Sequence, residues 1–326
     1  MIWLWIALGL LAVYIGGLWV VAWFSLHPPR IPIYLSPGGM GANQERVAVK
    51  GPAGNLDGWW CPVEGSRHAC LLVHGYLMNK CELAPQAHRL WEMGVSCLLI
   101  DLRAHGQSQG SLCTLGHKEK EDVLAALRWI HERMPDARVT VIGSSMGAAS
   151  AALALGEEPS LAHVLVLDSS FSKLSDAISG WREMFTFGAL RALLAPTAIV
   201  SIPIAGFNPF RVDVARSLPR LGQMPVLLLH GDRDRLTPVS VARRNFEAIL
   251  GPKHIVIFEG CVHSEARWML PEQYMDALLA FLVEHGAIPA EFQMPTGEQA
   301  YKNRRDTEEQ LRLSRGRSIL DLTGDK

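Results

Sequence analysis

The sequence predicts an α/β fold: a mostly parallel, doubly wound sheet of eight strands, with a helical cap insertion and an N-terminal transmembrane helix. Three observations predict it. Short apolar runs alternate with stretches that carry apolar residues at helical spacing. One run, residues 139–142, ends in Gly143-Ser144-Ser145-Met146-Gly147 and feeds the small-residue stretch 148–155. Residues 2–24 contain no charged side chain.

The apolar N-terminus comes first in the chain. As a helix rising about 1.5 Å per residue it spans the roughly 30 Å hydrocarbon core of a bilayer. Trp3 and Trp5 lie near one end and Trp19 and Trp23 near the other, a pattern of aromatic anchoring at two interfaces, and Pro28-Pro29 ends the helix. A signal peptide should show a basic start and a small-residue cleavage site, and neither is evident. No Lys or Arg precedes the span, whereas Arg30, Arg46 and Lys50 follow it, which favours a cytoplasmic catalytic domain by the positive-inside rule. Gly38-Gly39-Met40-Gly41 follows no clear strand and opens no helix, so it reads as a loop and not as a nucleotide cradle.

Strands are expected over 45–49, 56–61, 70–73, 95–100, 139–142, 163–167, 226–229 and 254–258. Helical patterns cover 82–93, 118–133, 145–155, 239–250 and 271–285. Such alternation places functional loops at the C-terminal edge of the sheet. The interval 171–222 is too long for a single crossover helix and reads as a cap. Within it, 192–207 is uncharged but interrupted by Pro196 and Pro203, too short and broken for a second span. It reads as an apolar cap over the site, a surface resting on the bilayer, or plain helical core. The expected organisation is an anchor over 1–26, a linker over 27–44, a core over 45–170 and 223–286, the cap over 171–222, and a polar tail over 287–326.

The chain has 326 residues, 49% of them apolar, enough for one sizeable domain with appendages. A formal net charge of -1 gives no basic field for nucleic acid. The six cysteines form no Cys-x-x-Cys pair and no metal-like spacing with His, so free thiols are expected and neither metal nor cofactor is. His131-Glu132-Arg133-Met134-Pro135 lacks the second His of a zinc-protease motif.

The chemistry starts at the Gly-x-Ser-x-Gly turn. A strand that ends there and enters a helix holds the middle Ser in a tight, strained turn with its hydroxyl exposed, and Gly143 and Gly147 keep its neighbours small. Ser145 is therefore the candidate nucleophile. A serine hydroxyl needs a base and a carboxylate to orient that base. The polar loop 230–238 carries a candidate acid, Asp232 or Asp234, and the loop 259–264 carries a candidate base, His263.

Taken together, His74-Gly75-Tyr76 after a strand, the stretch 101–108, the Ser145 turn, His230-Gly231-Asp232-Arg233-Asp234 and the segment 260–263 make residues 46–285 resemble an α/β-hydrolase. The stretches 56–62 and 168–171, with the N-terminal anchor, make it similar to the membrane-tethered Bem46-like group. The resemblance implies that Asp234, the second Asp of its loop, is the acid, leaving Asp232 to turn chemistry. It implies an oxyanion hole of the Met146 and Tyr76 amides. It makes His74 a loop-holding residue, and it makes Asp101, Arg103 and His105 scaffold, with Asp101 and Arg103 satisfying buried backbone groups. The expected function is a serine hydrolase of the carboxylesterase or lipase type that cleaves carboxylic esters through an acyl-enzyme. Its substrate is a small-molecule or lipid-like ester. A thioesterase, acyltransferase or peptidase would use the same three residues, and a catalytically silent membrane scaffold would use none of them.

Overall fold

The computed structural model describes residues 1–289. Its sheet has eight strands: β1 (Glu45–Gly51), β2 (Gly54–Cys61), β3 (His68–Val73), β4 (Ser96–Ile100), β5 (Arg138–Ser144), β6 (Val164–Asp168), β7 (Val226–Gly231) and β8 (Lys253–Phe258). They lie in the order β1-β2-β4-β3-β5-β6-β7-β8. The β1/β2 and β2/β4 pairs are antiparallel and every other pair is parallel. Each strand expected from the sequence is present, with ends shifted by no more than two residues. The unbroken apolar runs of β3 to β7 reflect burial on both faces, the usual condition of a parallel strand between helical layers.

Helices α2 (Ala84–Glu92), α3 (Glu119–Arg133) and α4 (Met146–Leu155) cross between strands, and α8 (Val239–Ala248) precedes β8. The short α9 (Ala266–Met269), which the sequence did not announce, leads into α10 (Pro271–Glu284). Apolar side chains of α3 and α4 fill one face of the sheet, and those of α2 and α10 fill the other. The expected start of α2 is instead a tight 3₁₀ turn, Lys80–Leu83, because the Asn79 side chain accepts from the Cys81 amide and caps that turn.

The insertion between β6 and β7 contains α5 (Leu174–Phe185), α6 (Gly188–Leu193) and α7 (Thr197–Ala205). Residues 188–205 are long and apolar enough by count to cross a bilayer. A turn at 194–196 breaks them into two pieces, and α7 carries Pro203 inside it.

The N-terminal helix α1 (Ile2–Leu26) ends at the expected residue and is capped by His27, before the prolines. Most of it is exposed, but Leu18, Ala22 and Leu26, four residues apart, form one buried stripe. That stripe faces the domain: α1 packs on α7, and Tyr14 donates its hydroxyl to the Leu193 carbonyl at 2.7 Å. Beyond it, Arg30 donates to the carbonyls of His105, Gly106, Ser108 and Gly110. The Asn79 amide donates to the carbonyls of Ile31 and Pro32. Two of the cations counted for topology therefore have structural partners, since Arg46 is paired with Asp57 as well. The polar tail expected over 287–326 falls, from residue 290 on, outside the described residues.

Candidate active site

β5 ends in the Ser145 turn, and Ser145 has φ +49°, a left-handed backbone that a side chain strains to adopt. Its glycine neighbours are required by close approach. A Cβ on Gly143 would overlap the backbone of Ala148, and one on Gly147 would overlap the carbonyl oxygens of Val73 and His74. The turn can thus be made only where chain passes against chain. It leaves Met146 as the first residue of α4, whose leading N–H groups have no acceptor within the helix and carry the positive end of its dipole.

The loop after β7 carries Asp234 and the loop after β8 carries His263, and both meet Ser145. The Ser145 hydroxyl lies 2.8 Å from His263 Nε2, and His263 Nδ1 lies 2.7 Å from Asp234 Oδ2. Asp234 is buried, and its Oδ1 also accepts from the amides of Leu236 and Thr237 while Oδ2 accepts from the Thr237 hydroxyl. Burial alone would raise its pKa. The hydrogen bond and charge of His263, with the Thr237 amide, outweigh that and hold it below the usual carboxylate range. An ionised Asp234 fixes the proton of His263 on Nδ1 and turns Nε2, as acceptor, toward Ser145.

Asp232, the alternative acid, points elsewhere: its carboxylate accepts from the Gly260 amide at 2.7 Å and ties the acid loop to the loop that carries His263. That bond reaches across loops, where turn chemistry would have kept it within its own.

Beside Ser145 runs the loop after β3. A Cβ on Gly75 would stand 3.4 Å from Ser145 Cβ, so this loop forms the wall next to the hydroxyl. The Leu102 amide donates to His74 Nε2, which leaves His74 Nδ1 to donate to the Gly75 carbonyl at 2.7 Å. His74 thus holds the loop, as the resemblance implied. Burial keeps it neutral by lowering its pKa.

The stretch 101–108 lies under that loop. Burial, with the neighbouring His74 adding to it, drives His105 down to about 3, and its Nδ1 donates to the Arg103 carbonyl. Asp101 accepts from the amides of Lys80 and Gln107, as expected. Arg103 departs from expectation: its guanidinium forks onto the Asp122 carboxylate, because buried Asp122 offers a charged, planar partner that no carbonyl can match.

Three further groups surround these side chains. Lys80 is buried between Asp57 and Asp101, 2.6 Å from each. Thr237 completes the shell around Asp234. Beneath Ser145, buried Arg267 pairs with Glu82 and Asp168. Glu82 in turn accepts from the Gly75 amide at 2.6 Å and the Ser144 hydroxyl at 2.9 Å. Burial would lower the Arg267 guanidinium, but its two carboxylates outweigh that and raise it. Lys80, Glu82 and Arg267 carried no signal in the sequence, whereas their partners Asp57, Asp101 and Asp168 lay in stretches that the resemblance used. Among the described residues no cluster of three His, Cys, Asp or Glu side chains could hold a metal ion.

The Ser145 hydroxyl opens into a cavity of about 570 Å³. One face of α5, through Leu174, Ala177, Ile178 and Trp181, forms a wall, and Tyr76, Met146 and Leu236 form the floor around the serine. α5 lies against the acid loop at Gly180, where a Cβ would overlap the Leu236 carbonyl. The insertion therefore covers the serine.

Comparison with known proteins agrees with this fold. The sequence profile of the alpha/beta hydrolase fold matches residues 69–194. An uncharacterized protein of Mycobacterium tuberculosis is 27% identical over 263 residues, 79% of this chain and 85% of that protein. The monoacylglycerol lipase of Mycolicibacterium smegmatis is 22% identical over 258 residues, covering 69% of this chain and 91% of the lipase. Among solved structures, an esterase of Pyrococcus furiosus superposes with a TM-score of 0.66 at 26% identity, over 79% of this chain and 97% of the esterase. The chain has the α/β-hydrolase fold, with an eight-stranded sheet and a helical insertion.

Proposed function

We propose that this chain is a membrane-anchored serine esterase acting on esters with an apolar acyl chain. The observation that carries the proposal is the unbroken relay from Ser145 through His263 to Asp234, opening into a largely apolar cavity. His263 takes the Ser145 proton as the oxygen attacks the ester carbonyl. The Met146 and Tyr76 amides hold the resulting oxyanion. As the tetrahedral adduct collapses, His263 returns that proton to the departing alcohol and leaves an acyl-Ser145 ester. Water, deprotonated by His263, then releases the acid and restores the hydroxyl.

Likeness to a monoacylglycerol lipase and to an esterase supports an ester over a thioester or amide. The apolar N-terminal helix and its buried stripe against the domain support an anchor over a removable leader, and with it the narrower kinship to the membrane-tethered hydrolases. We place the catalytic domain on the cytoplasmic side, on the strength of the cations that follow the span. Digestion of that domain by protease added outside intact inner membranes would reverse the orientation.

The deciding experiment is labelling of the full chain with a fluorophosphonate. Wild type should label, while Ser145→Ala should neither label nor turn over, with a loss of about 10⁴-fold or more. A folded wild type that does not label would overturn the proposal.

A further inference from the structure

The cavity over Ser145 is closed on one side by the N-terminal helix. Val20, Val21, Phe24 and Ser25 of α1 line it together with residues of α5 and α7. The contact is built into the fold: Tyr76, on the loop after β3, donates its hydroxyl to the Ser25 carbonyl at 2.9 Å, and the Cys113 amide donates to the Leu26 carbonyl at 2.8 Å. Residues 18, 21, 22, 25 and 26 fall on one helical stripe, so the face that packs on the domain is also the face that meets the cavity. Only Arg182 is charged among the side chains around this space.

The end of α5, with α6 and α7, exposes Phe185, Phe187, Leu193 and Ile199 beside α1. A 25-residue apolar helix with an apolar shoulder next to it is a surface for one occupant, the acyl region of a bilayer.

We infer that the anchor is a wall of the acyl-binding site and that the substrate is a lipid ester whose acyl chain is drawn laterally from the surrounding leaflet, between α1 and the cap, without passing through water. The inference rests on the esterase reading and adds the route by which the substrate enters and the wall its acyl chain meets.

The test uses the full chain in lipid nanodiscs. Val21→Trp fills the α1 side of the cavity, and Val13→Trp, on an exposed stretch of the same helix, is the control. With p-nitrophenyl palmitate the Val21 variant should lose at least about tenfold in kcat/KM, equivalent to 1.4 kcal/mol of transition-state binding. With p-nitrophenyl acetate it should stay within about twofold, and Val13→Trp should change neither substrate. A Val21→Trp enzyme with the same palmitate-to-acetate ratio as wild type overturns the inference.

Occupancy is read separately in Ser145→Ala with a diazirine-bearing palmitoyl ester. Cross-links should form on residues 20–26, be displaced by excess monopalmitoylglycerol, and disappear in the Ser145→Ala/Val21→Trp double variant. If those cross-links form but wild type cleaves no ester, the esterase reading falls and the anchor-walled site stands. If esters are cleaved and no displaceable cross-link reaches 20–26, the anchor-walled site falls and the esterase reading stands.

Discussion

Arg267 and Glu82, 185 positions apart in the chain, form a buried ion pair directly beneath the Ser145 turn. Glu82 also accepts the Gly75 amide and the Ser144 hydroxyl, so one carboxylate joins the loop after β3 to the residue before Ser145. The pair thus ties the loop that carries Gly75 and Tyr76 to the strand end that carries Ser145.

Two substitutions separate its stability role from its positioning role. Arg267→Leu leaves two buried carboxylates without their cation and should cost about 3–5 kcal/mol in urea unfolding. Glu82→Gln keeps the shape and one acceptor but loses the charge. It should lower kcat by about tenfold with KM nearly unchanged, because the oxyanion contact matters in the transition state and little in the ground state. A kcat equal to wild type would restrict Glu82 to stability.

The two aspartates of the acid loop make a sharper comparison. Asp234→Asn replaces the acceptor of His263 Nδ1–H with a group that permits the wrong tautomer, and kcat should fall by about 10³–10⁴-fold with the fold intact. Asp232→Asn should stay within a few-fold of wild type, since its carboxylate only braces the Gly260 amide. Comparable losses in both variants would remove the basis for choosing Asp234.

What was legible in the sequence was local. The Ser145 turn is five contiguous residues whose glycines are demanded by backbone approach, and each parallel strand is a contiguous apolar run, so both could be read without knowing the fold. The choice between Asp232 and Asp234 was not local: two residues apart, they look alike until the loop folds and its amides point at one of them. The Arg267 network, the Lys80 pairs and the Arg30 clamp depend on partners 20 to 185 residues away, and such pairings leave no spacing to read. Arg30 shows the hazard, because a cation that counts toward topology in the sequence is in the fold a donor to four carbonyls.

His105 should appear in stability and hardly in catalysis. Its folded pKa, about 3, lies below the ordinary value of 6.5, so between those limits the unfolded chain binds the extra proton. Its contribution is therefore whole above about pH 6.5 and is lost as the pH falls toward 3, at about 1.4 kcal/mol for each pH unit within the window. His105→Gln, which keeps a donor for the Arg103 carbonyl, should flatten the slope of unfolding free energy against pH by about one proton between pH 4 and 6. Hydrolysis at pH 7 should stay within about threefold of wild type, whereas a loss of the size expected for Asp234→Asn would place His105 in the chemistry.

All six cysteines are buried and unpaired in disulfides, and burial raises the pKa of each thiol, Cys61 to about 12. The thiolate is the reactive form, so both exposure and ionisation work against reaction with a polar disulfide reagent at neutral pH. Native protein should therefore release almost no thionitrobenzoate from Ellman's reagent over several minutes at pH 8, and the same sample in guanidinium should release six equivalents for each chain. Cys113 and Cys261 make the result informative about the site. Cys113 touches the sulfur of Met146, and Cys261 lies two residues before His263. Rapid modification of either thiol in the native state, mapped by mass spectrometry, would mean that the walls around the serine open far more readily than their packing implies, and fluorophosphonate labelling should then slow as the thiol is blocked.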